Sequence, residues 1–448
     1  MQNTIIYVIL RKFVIMETKI WSFSVLFVIL VVALSSITCS PVQDLITNAI
    51  NADNHNHKRY AVQGSGKPNP VIFVPGDGGS QLEAKLNKTY RIHYICDQVS
   101  DWYDIWLNIH LLAPYAFDCL SDNLRLVYNS TTRTTRNTDG VQIRPTNFGS
   151  IDSVDYLDIY RLPKTSYFAT IISGLEKRSG LVRNVDMVGA AFDFRKGPNE
   201  LKEFFSNLTS LIQHQYVMNN YRPVTLICHS MGCLNSVLLL NNQTQNWKDV
   251  YIRRLISLGA PWDGSVKAMG AMLYGDNLGI PLLNQNKLQS LQSTFPSLMY
   301  LFPRNPTFNN TRVLVSTKNK NYSLENLDEL FSDAGLMDQM EMWYDTKPFA
   351  ASLRAPNVEL WCLYGSGVET PGQIVYNDNF GTNSYVEIPS DGDGTVNIES
   401  LMACERFQSE QKQPVYTRMF PNVDHIDILR GNDATDFIVT EIMKNDTD

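Results

Sequence analysis

The chain has 448 residues, of which 44% are hydrophobic and 19% are charged, and its formal net charge is −7. This composition is typical of a globular protein with one large or two medium-sized domains, and it excludes collagen-like and disordered chains. The acidic balance offers no basic field for a polyphosphate, and the sequence has no Lys/Arg run or zinc-finger spacing. Nucleic acid is therefore not an expected partner.

The N-terminus has the pattern of a secretory targeting segment. Charged residues between Met16 and Lys19 precede the apolar run "IWSFSVLFVILVVALSSIT", and small polar residues around Ser40 resemble a cleavage region. We expect residues 1–40 to be a signal peptide, with an upstream extension before Met16, and residues 41–68 to be a lead-in. The run could instead remain as one membrane anchor, since a span needs about 20 residues. Cleavage is favoured because Thr and Ser dilute the end of the run and no basic cluster follows it.

Glycosylation sequons agree with the secretory route. Each N-x-S/T match alone is weak, but together they indicate a luminal or secreted glycoprotein. The predicted acceptors are Asn87, Asn129, Asn207, Asn242, Asn309, Asn321 and Asn445.

The cysteines are compatible with disulfides. If Cys39 leaves with the signal peptide, six cysteines remain. Cys96 and Cys119 bracket one loop and Cys362 and Cys404 bracket another, so pairing within each bracket is the economical interpretation.

Apolar strands alternate with helices along the rest of the chain. "NPVIFVPGDGGSQLEAKL" predicts a strand, a Gly-rich turn and the start of a helix, and "RPVTLICHSMGCLNSVLLL" repeats this order with a longer helix. "VYIRRLISLGAP" and "VELWCLYGSG" are further buried-strand candidates. Continuous apolar strands between helices suit a parallel sheet covered on both faces, so the fold class is α/β.

Ser230 in "CHSMGC" is the candidate nucleophile. A nucleophile elbow needs a strand, a sharp turn with the serine at its tip, and a helix, with small residues two positions to either side. Cys228 and Gly232 hold those positions, so Cys228 is interpreted as a replacement for the usual glycine, with Cys228 and Cys233 both free thiols. A metal site at Cys228, His229 and Cys233 is not expected, because a tetrahedral zinc site needs four well-spaced ligands and the sequence offers no second cluster. A plain strand–turn–helix remains the alternative for an isolated match.

The rest of a triad follows from chain order. In this fold the order is Ser, then Asp or Glu, then His, and His425 is the only histidine after His229. His425 lies just past a strand-like run, where the general base is expected. "PSDGDGTVN" supplies the acid: Asp393 is favoured and Asp391 is the fallback, because one of them could merely shape the turn or cap a helix.

Backbone amides are expected to form the oxyanion hole. One comes from Met231, the residue after the nucleophile, and the other from the loop "VPGDGGS", where Asp77 holds the donor position. An ordinary turn aspartate is the alternative for Asp77, but a Gly-rich run exposes N–H groups suited to an anion.

Several blocks together resemble the lecithin:cholesterol acyltransferase family, and most of all its lysosomal phospholipase A2 branch. They are "NPVIFVPGDGGSQLEAKL", "IWLNIHLLAPYAFDCLSDNLRLVYN", "CHSMGC", "SLGAPWDGSVKAM", "CLYGSGVETP", "DGDGTVNIESLMAC" and "DHIDIL", and the match runs from about Asn69 to Leu429. The sequence departs from the family pattern in the loops beside the acyl site, which bear on substrate preference and not on the reaction class: Gly78 and Ser80 replace Leu and Asn, Asp263 replaces Gly, and "VGAAFDFR" replaces "RGAPYDWR".

The resemblance implies an α/β-hydrolase fold over residues 69–445, with a disulfide-closed membrane-binding loop at 96–119 and cap insertions at about 120–165 and 265–350. It implies the triad Ser230, Asp393 and His425, an oxyanion hole from Asp77 and Met231, and disulfides Cys96–Cys119 and Cys362–Cys404.

The resemblance also implies an activity. Family members hydrolyse an acyl ester of a glycerophospholipid through an acyl-serine, without calcium or another metal or cofactor, and transfer the acyl group to a lipid alcohol such as ceramide or a sterol. Asp77 in place of a cysteine favours the lysosomal branch and acid conditions, so the expected location is the lysosomal lumen or the secreted fraction.

The loop "DWYDIWLNIHLL" is the candidate membrane contact. Trp102, Ile105, Trp106, Ile109 and Leu112 fall at helical spacing on one face, with polar residues elsewhere. A helix packed into the core is the alternative. Two tryptophans on a short disulfide-closed helix suit the boundary between water and lipid, and the family uses this loop to engage membrane.

Two other functions stay open. One is a sterol or diacylglycerol acyltransferase of the same family, which the mature N-terminus and an acceptor assay would separate. The other is a non-catalytic lipid-binding protein, against which the complete set of triad residues argues.

Overall fold

The computed structural model describes residues 68–277, 284–380 and 384–446. The predicted signal peptide and all of the lead-in except residue 68 lie outside the described residues. None of the helices in the described ranges is both long and apolar enough to cross a membrane.

The strands in chain order are β1 Val71–Val74, β2 Leu82–Asn87, β3 Val99–Trp106, β4 Leu126–Asn129, β5 Thr134–Asn137, β6 Val141–Pro145, β7 Met187–Gly189, β8 Val224–His229, β9 Ile252–Leu258, β10 Val315–Ser316, β11 Asn321–Tyr322, β12 Leu360–Ser366, β13 Thr370–Tyr376, β14 Tyr385–Ser390 and β15 Val415–Pro421.

The helices are α1 Ala116–Leu124, α2 Ala169–Ser179, α3 Lys202–Met218, α4 Met231–Asn241, α5 Gln245–Tyr251, α6 Val266–Leu273, α7 Gln285–Gln292, α8 Pro296–Tyr300, α9 Leu327–Asp333, α10 Met337–Ala351, α11 Ile398–Leu401, α12 Phe407–Glu410, α13 Asp427–Arg430 and α14 Asn432–Asp446. Short 3-10 turns include Ile109–Leu112 and Pro163–Thr165.

A six-stranded sheet forms the centre of the unit that begins at Gly66. Its order is β15-β12-β9-β8-β1-β7, and every neighbouring pair is parallel. Successive side chains of β1 alternate between two apolar cores, with Ile72 and Val74 in one and Val71 and Phe73 in the other. Helices α3 and α4 contribute to the first core, and α2 and α14 to the second. The predicted parallel sheet with helices on both faces is confirmed.

Three smaller sheets accompany the central one within the described ranges. They are β11-β10-β13-β14, β3-β2-β6 and the hairpin β4-β5. The prediction that a helix starts after the "GDGGS" turn is wrong, because that segment is β2, paired antiparallel with β3 and β6. Leu82, Ala84 and Leu86 are buried at every second position, which is the period of a strand rather than a helix.

The predicted amphipathic helix over "DWYDIWLNIHLL" is also wrong. Residues 99–106 form β3, and only Ile109–Leu112 makes a single 3-10 turn. Pairing with β2 outweighs the helical spacing of the apolar residues, because the strand satisfies its backbone hydrogen bonds along that edge. Ile105 is completely buried, so this residue is not available to a membrane.

The structure contains three disulfides among the described residues. Cys96 pairs with Cys119 and Cys362 with Cys404, as expected. The prediction that Cys228 and Cys233 are free is wrong, since these residues are also joined, with their Cα atoms 4.9 Å apart. Our expectation failed because the turn between β8 and α4 is tight enough to bring the first turn of the helix back against the end of the strand. The elbow forms with the bridge in place.

We predict that peptide mapping without reductant finds all three bridges. The protein should be denatured in an alkylating reagent first, because Cys228 and Cys233 are fully buried. In the control variant Cys228→Gly, only the Cys228–Cys233 bridge should disappear, and folding should survive because glycine suits this position of an elbow. Alkylation of Cys228 and Cys233 without prior reduction would contradict the structure.

Candidate active site

The candidate site residues lie where the parallel strands end. Ser230 follows β8, the loop with Asp77 follows β1, and His425 follows β15. Asp393 is distant in sequence from β12, but it forms a backbone bridge with Val368, two residues beyond the end of that strand. The carboxyl ends of a parallel sheet therefore collect all four residues at one edge.

Ser230 has the backbone of a nucleophile elbow. Its φ is 52° and its ψ is −130°, a conformation that costs an L-residue energy and that dense surroundings must hold. The turn also needs glycine close by, since a Cβ on Gly232 would lie 2.1 Å from the Pro75 oxygen, and one on Gly76 would lie 2.7 Å from the Ser230 Cβ. The loop after β1 therefore packs directly against the elbow.

Three side chains form a hydrogen-bonded series. The His425 Nε2 lies 3.0 Å from the Ser230 Oγ, and the His425 Nδ1 lies 2.7 Å from the Asp393 Oδ2. Because a carboxylate accepts, Nδ1 carries the ring proton and Nε2 is left to accept from the serine hydroxyl. This arrangement suits removal of the serine proton.

Asp393 is fixed by the backbone around it. Its Oδ1 accepts from the amides of Thr395 at 3.1 Å and Val396 at 2.7 Å, and its backbone oxygen accepts from the His425 amide at 2.8 Å. Asp391 has a different role, since its Oδ1 accepts hydrogen bonds from the amides of Gly367 and Gly392. The structure thus brings Asp393 to the histidine and leaves Asp391 shaping the turn.

The expected oxyanion-hole residues flank Ser230. Met231 is the first residue of α4, where a helix leaves N–H groups without intrahelical partners. On the other side, the Gly76 oxygen accepts from the Gly79 amide at 3.1 Å, and the Gly78 oxygen accepts from the Trp106 indole at 2.8 Å. These contacts hold the loop that carries Asp77.

Asp77 has an unusual electrostatic environment. The residue as a whole is exposed, yet many protein atoms surround its carboxyl and reduce the hydration of that group. This desolvation, with a smaller contribution from Asp276, raises the pKa of Asp77 to about 7, against the opposing hydrogen bond from the Gly78 amide. The carboxyl is therefore neutral in acid and anionic above neutrality.

Sequence reasoning missed Tyr167 as a member of this site. Its hydroxyl lies 2.5 Å from the His229 Nδ1 and 3.0 Å from the Gly76 amide nitrogen. Tyr167 precedes α2 in a stretch with no motif, so no sequence signal indicated it. His229 was noticed only as a possible metal ligand.

The predicted membrane residues do not share one exposed face. Trp102 lies under the Arg144 guanidinium, 4.0 Å from the ring centre, and Trp106 packs against Phe194 with ring centres 5.5 Å apart. Ile109 and Leu112 are half-buried.

Other apolar side chains near the Cys96–Cys119 bridge are exposed. Tyr94 and Tyr115 are 79% and 72% exposed and both lie against the His93 ring. Ile92 and Ile95 are also exposed. We call Ile92, Tyr94, Ile95 and Tyr115 the bridge patch.

Asp263, which departs from the family pattern, is a buried ion-pair partner. Its carboxylate accepts from the Arg406 guanidinium at 2.6 and 3.0 Å and from the Thr307 hydroxyl at 2.5 Å. It therefore ties the segment after α8 to the turn before α12.

The predicted glycosylation sites are accessible where their side chains are described. Six of the seven asparagines are exposed, namely Asn87, Asn129, Asn207, Asn242, Asn309 and Asn321. Asn445 lies in α14, outside the described side chains.

Comparison with known proteins gives consistent results. A profile described as lecithin:cholesterol acyltransferase matches residues 102–348 and 338–432. The lysosomal phospholipase A and acyltransferase of Rattus norvegicus is 41% identical over 361 residues, which cover 80% of this chain and 87% of that protein. The human protein of the same name is 39% identical over 366 residues, covering 82% of this chain and 88% of that protein.

A sterol-esterifying relative and one solved structure extend the comparison. The phosphatidylcholine-sterol acyltransferase of Gallus gallus is 39% identical over 365 residues, covering 81% of this chain and 87% of that protein. In the crystal structure of the Tle4–Tli4 complex, a matching chain has a TM-score of 0.51 at 14% identity, covering 85% of this chain and 99% of that chain, and this likeness concerns the fold alone. The profile and the relatives together show that the chain belongs to the lecithin:cholesterol acyltransferase family.

Proposed function

We propose that this chain is a calcium-independent phospholipase A and acyltransferase that acts on glycerophospholipids through an acyl-serine. The observation that carries the proposal is the hydrogen-bonded series Ser230, His425 and Asp393 at the end of the parallel sheet. The names of the relatives supply the substrate class. A lipid carrier would not need this arrangement of three buried side chains.

The geometry supports a two-step acyl transfer. His425 takes the proton of Ser230 as the hydroxyl oxygen attacks the acyl carbonyl, and Asp393 stabilises the imidazolium that results. The amides of Asp77 and Met231 bind the negative oxygen of the tetrahedral intermediate. His425 then protonates the leaving alcohol, a lysophospholipid, and the acyl group stays on Ser230.

The second step decides between hydrolysis and transfer. His425 removes a proton from water or from a lipid alcohol, whose oxygen attacks the acyl-serine and releases a fatty acid or a new ester. A ceramide or a sterol is the proposed alcohol, since one named relative is a lysosomal acyltransferase and another esterifies sterol.

We further propose that the enzyme acts in the lysosomal lumen or after secretion. The lysosomal names of several relatives, the sequons and the disulfides support this location. The segments 120–165 and 265–350 are proposed as caps over the site, and the hydrogen bond from the Thr307 hydroxyl to Asp263 ties the second of them to the residues before it.

We predict that Ser230→Ala abolishes acyl release while the protein still folds and is secreted. The loss should be about 10³-fold or more, as for other triad members, and His425→Ala should match it. Asp393→Asn should lose far more than the matched control Asp391→Asn, because only Asp393 contacts the histidine. Steady-state hydrolysis of a water-soluble ester measures all four variants. Activity of Ser230→Ala above about a hundredth of wild type would refute the triad, and the reverse ranking of the two aspartates would exchange the acid.

We predict that activity falls as the pH rises through about 7. The pKa of Asp77 is raised to about 7, so above that value a carboxylate lies beside the place where negative charge develops. Below it the carboxyl is neutral and the repulsion is absent. In Asp77→Asn the amide donor is retained without the charge, so kcat/KM measured from about pH 5 to 9 should no longer decline as the pH rises through about 7. An unchanged decline above pH 7 in this variant would assign the effect to another group.

We predict that membrane contact depends on the bridge patch rather than on the tryptophans. The double change Tyr94→Ser and Tyr115→Ser should weaken binding to phospholipid vesicles about tenfold or more, because two exposed aromatic rings no longer partition into the interface. Hydrolysis of a soluble ester should stay near wild type. The matched control is Met218→Ser with Tyr221→Ser, since these side chains are 64% and 65% exposed elsewhere.

Trp106→Ser tests the alternative. It removes the hydrogen bond to Gly78 and a packing contact, so it should lower activity on soluble ester and vesicle alike. If Trp106→Ser lost activity only on vesicles, and the double tyrosine variant lost none, the tryptophans would be the membrane contact, as the sequence predicts.

A further inference from the structure

Behind the three triad side chains runs a second series of hydrogen bonds. It starts at the Gly76 amide, passes through the Tyr167 hydroxyl and the His229 ring, and ends at the His425 backbone oxygen, with distances of 3.0, 2.5 and 2.8 Å. All of its side chains are buried, with Tyr167 and His229 each 2% exposed. It joins the loop of the proposed oxyanion hole to the residue beside the nucleophile and to the proposed base.

The direction of every proton in this series is fixed. The His425 carbonyl oxygen can only accept, so the His229 Nε2 carries a proton and donates it. Burial, with a smaller contribution from nearby His425, holds the pKa of His229 well below its ordinary value, so the ring is neutral and its Nδ1 accepts. Tyr167 must then donate to His229, and burial raises the pKa of its phenol, which keeps that proton in place. The Tyr167 oxygen accepts from the Gly76 amide.

Because the donor and the acceptor of each hydrogen bond are fixed, the series has only one arrangement of its hydrogen atoms. Reversing a bond would leave two buried donors, or two buried acceptors, facing each other, which is costly in a medium without water. The Gly76 peptide is therefore held at one orientation, and the next amide along the chain is that of Asp77. Packing reinforces this, since a Cβ on Gly76 would already touch Ser230 and the Tyr167 hydroxyl.

We propose that Tyr167 is a positioning residue, which acts through His229 and Gly76 to hold the oxyanion loop and the His425 backbone in register with Ser230. This inference rests on the proposed function, because it assigns a role within the same acyl transfer. Tyr167 does not contact the reacting atoms. It sets the place of the Asp77 amide before substrate arrives, and such preorganisation is a large part of electrostatic catalysis.

The test compares two tyrosine hydroxyls. Tyr167→Phe keeps the ring in its place against Phe168 and removes both hydrogen bonds of the hydroxyl. The matched control is Tyr128→Phe, which removes a hydroxyl that donates to Asp345 at 2.6 Å. Both variants are titrated for active serine with a fluorophosphonate and assayed on a soluble ester, with melting temperature recorded.

We expect kcat of Tyr167→Phe to fall about ten- to a hundredfold with KM within about twofold, less than the 10² to 10³ that follows deletion of an oxyanion donor itself. A trifluoromethyl ketone, whose serine adduct places an oxyanion in the hole, should bind more weakly by the same factor as kcat/KM. Tyr128→Phe should change neither the kinetic constants nor the affinity for the ketone.

Two further variants separate positioning from simple support of the fold. His229→Gln offers both a donor and an acceptor and should retain more activity than His229→Leu, which offers neither. In the double variant Tyr167→Phe with His229→Leu, the losses should not multiply, because both changes break the same series.

Three results would overturn the proposal: a kcat of Tyr167→Phe within about twofold of wild type, a kcat loss without any loss of ketone affinity, or equal activity of the two His229 variants. Ser230→Ala is the reference variant that separates a failure of the proposed triad from a failure of the role proposed for Tyr167. Activity remaining in it would count against the proposed triad, whereas its inactivity beside a fully active Tyr167→Phe would count against Tyr167 alone.

Discussion

The close packing of the β1 loop against the turn at Ser230 is the constraint on which the site depends. Ser230 has a positive φ, and the turn keeps this conformation only because its neighbours leave no room to relax. Gly76 and Gly232 allow the approach, since a methyl group at either would overlap the facing strand end or turn. The Cys228–Cys233 bridge closes the same turn from within.

Hydrogen bonds and burial determine which side chains of the site carry a charge. Asp393 accepts from two amides and one imidazole, so its negative charge is satisfied without a cation. His229, directly beside the nucleophile, is kept neutral by burial. A second positive ring there would repel the imidazolium that we propose forms on His425 during acyl transfer. The charge of Asp77 changes near neutral pH, which links the proposed oxyanion hole to the acidity of its surroundings.

The region closed by Cys96 and Cys119 serves two purposes in this architecture. Its strand β3 pairs with β2, and Trp106 at the end of β3 donates to Gly78 in the loop of the proposed oxyanion hole. The surface that faces outward is made by the residues around the bridge, Tyr94 and Tyr115 among them.

The sequence by itself determined the class of the fold and the identity of the triad candidates. Continuous apolar strands ending in Gly-rich turns predicted the parallel sheet, and the chain order left His425 as the sole histidine for the base. Local chemistry and order along the chain are enough for such inferences, because an elbow is a local motif and a parallel sheet collects its strand ends at one edge.

What the tertiary structure decided was every feature that depends on a partner distant in sequence. Residues 99–106 have helical spacing but form a strand, because β2 offers hydrogen bonds that no local pattern records. Cys228 and Cys233 meet because the elbow folds more tightly than their separation suggested. Tyr167 reaches His229 across 62 positions and Gly76 across 91, so its role exists only once three segments are packed together. Propensity and periodicity act over a few residues, whereas these contacts are set by the packing of the whole domain.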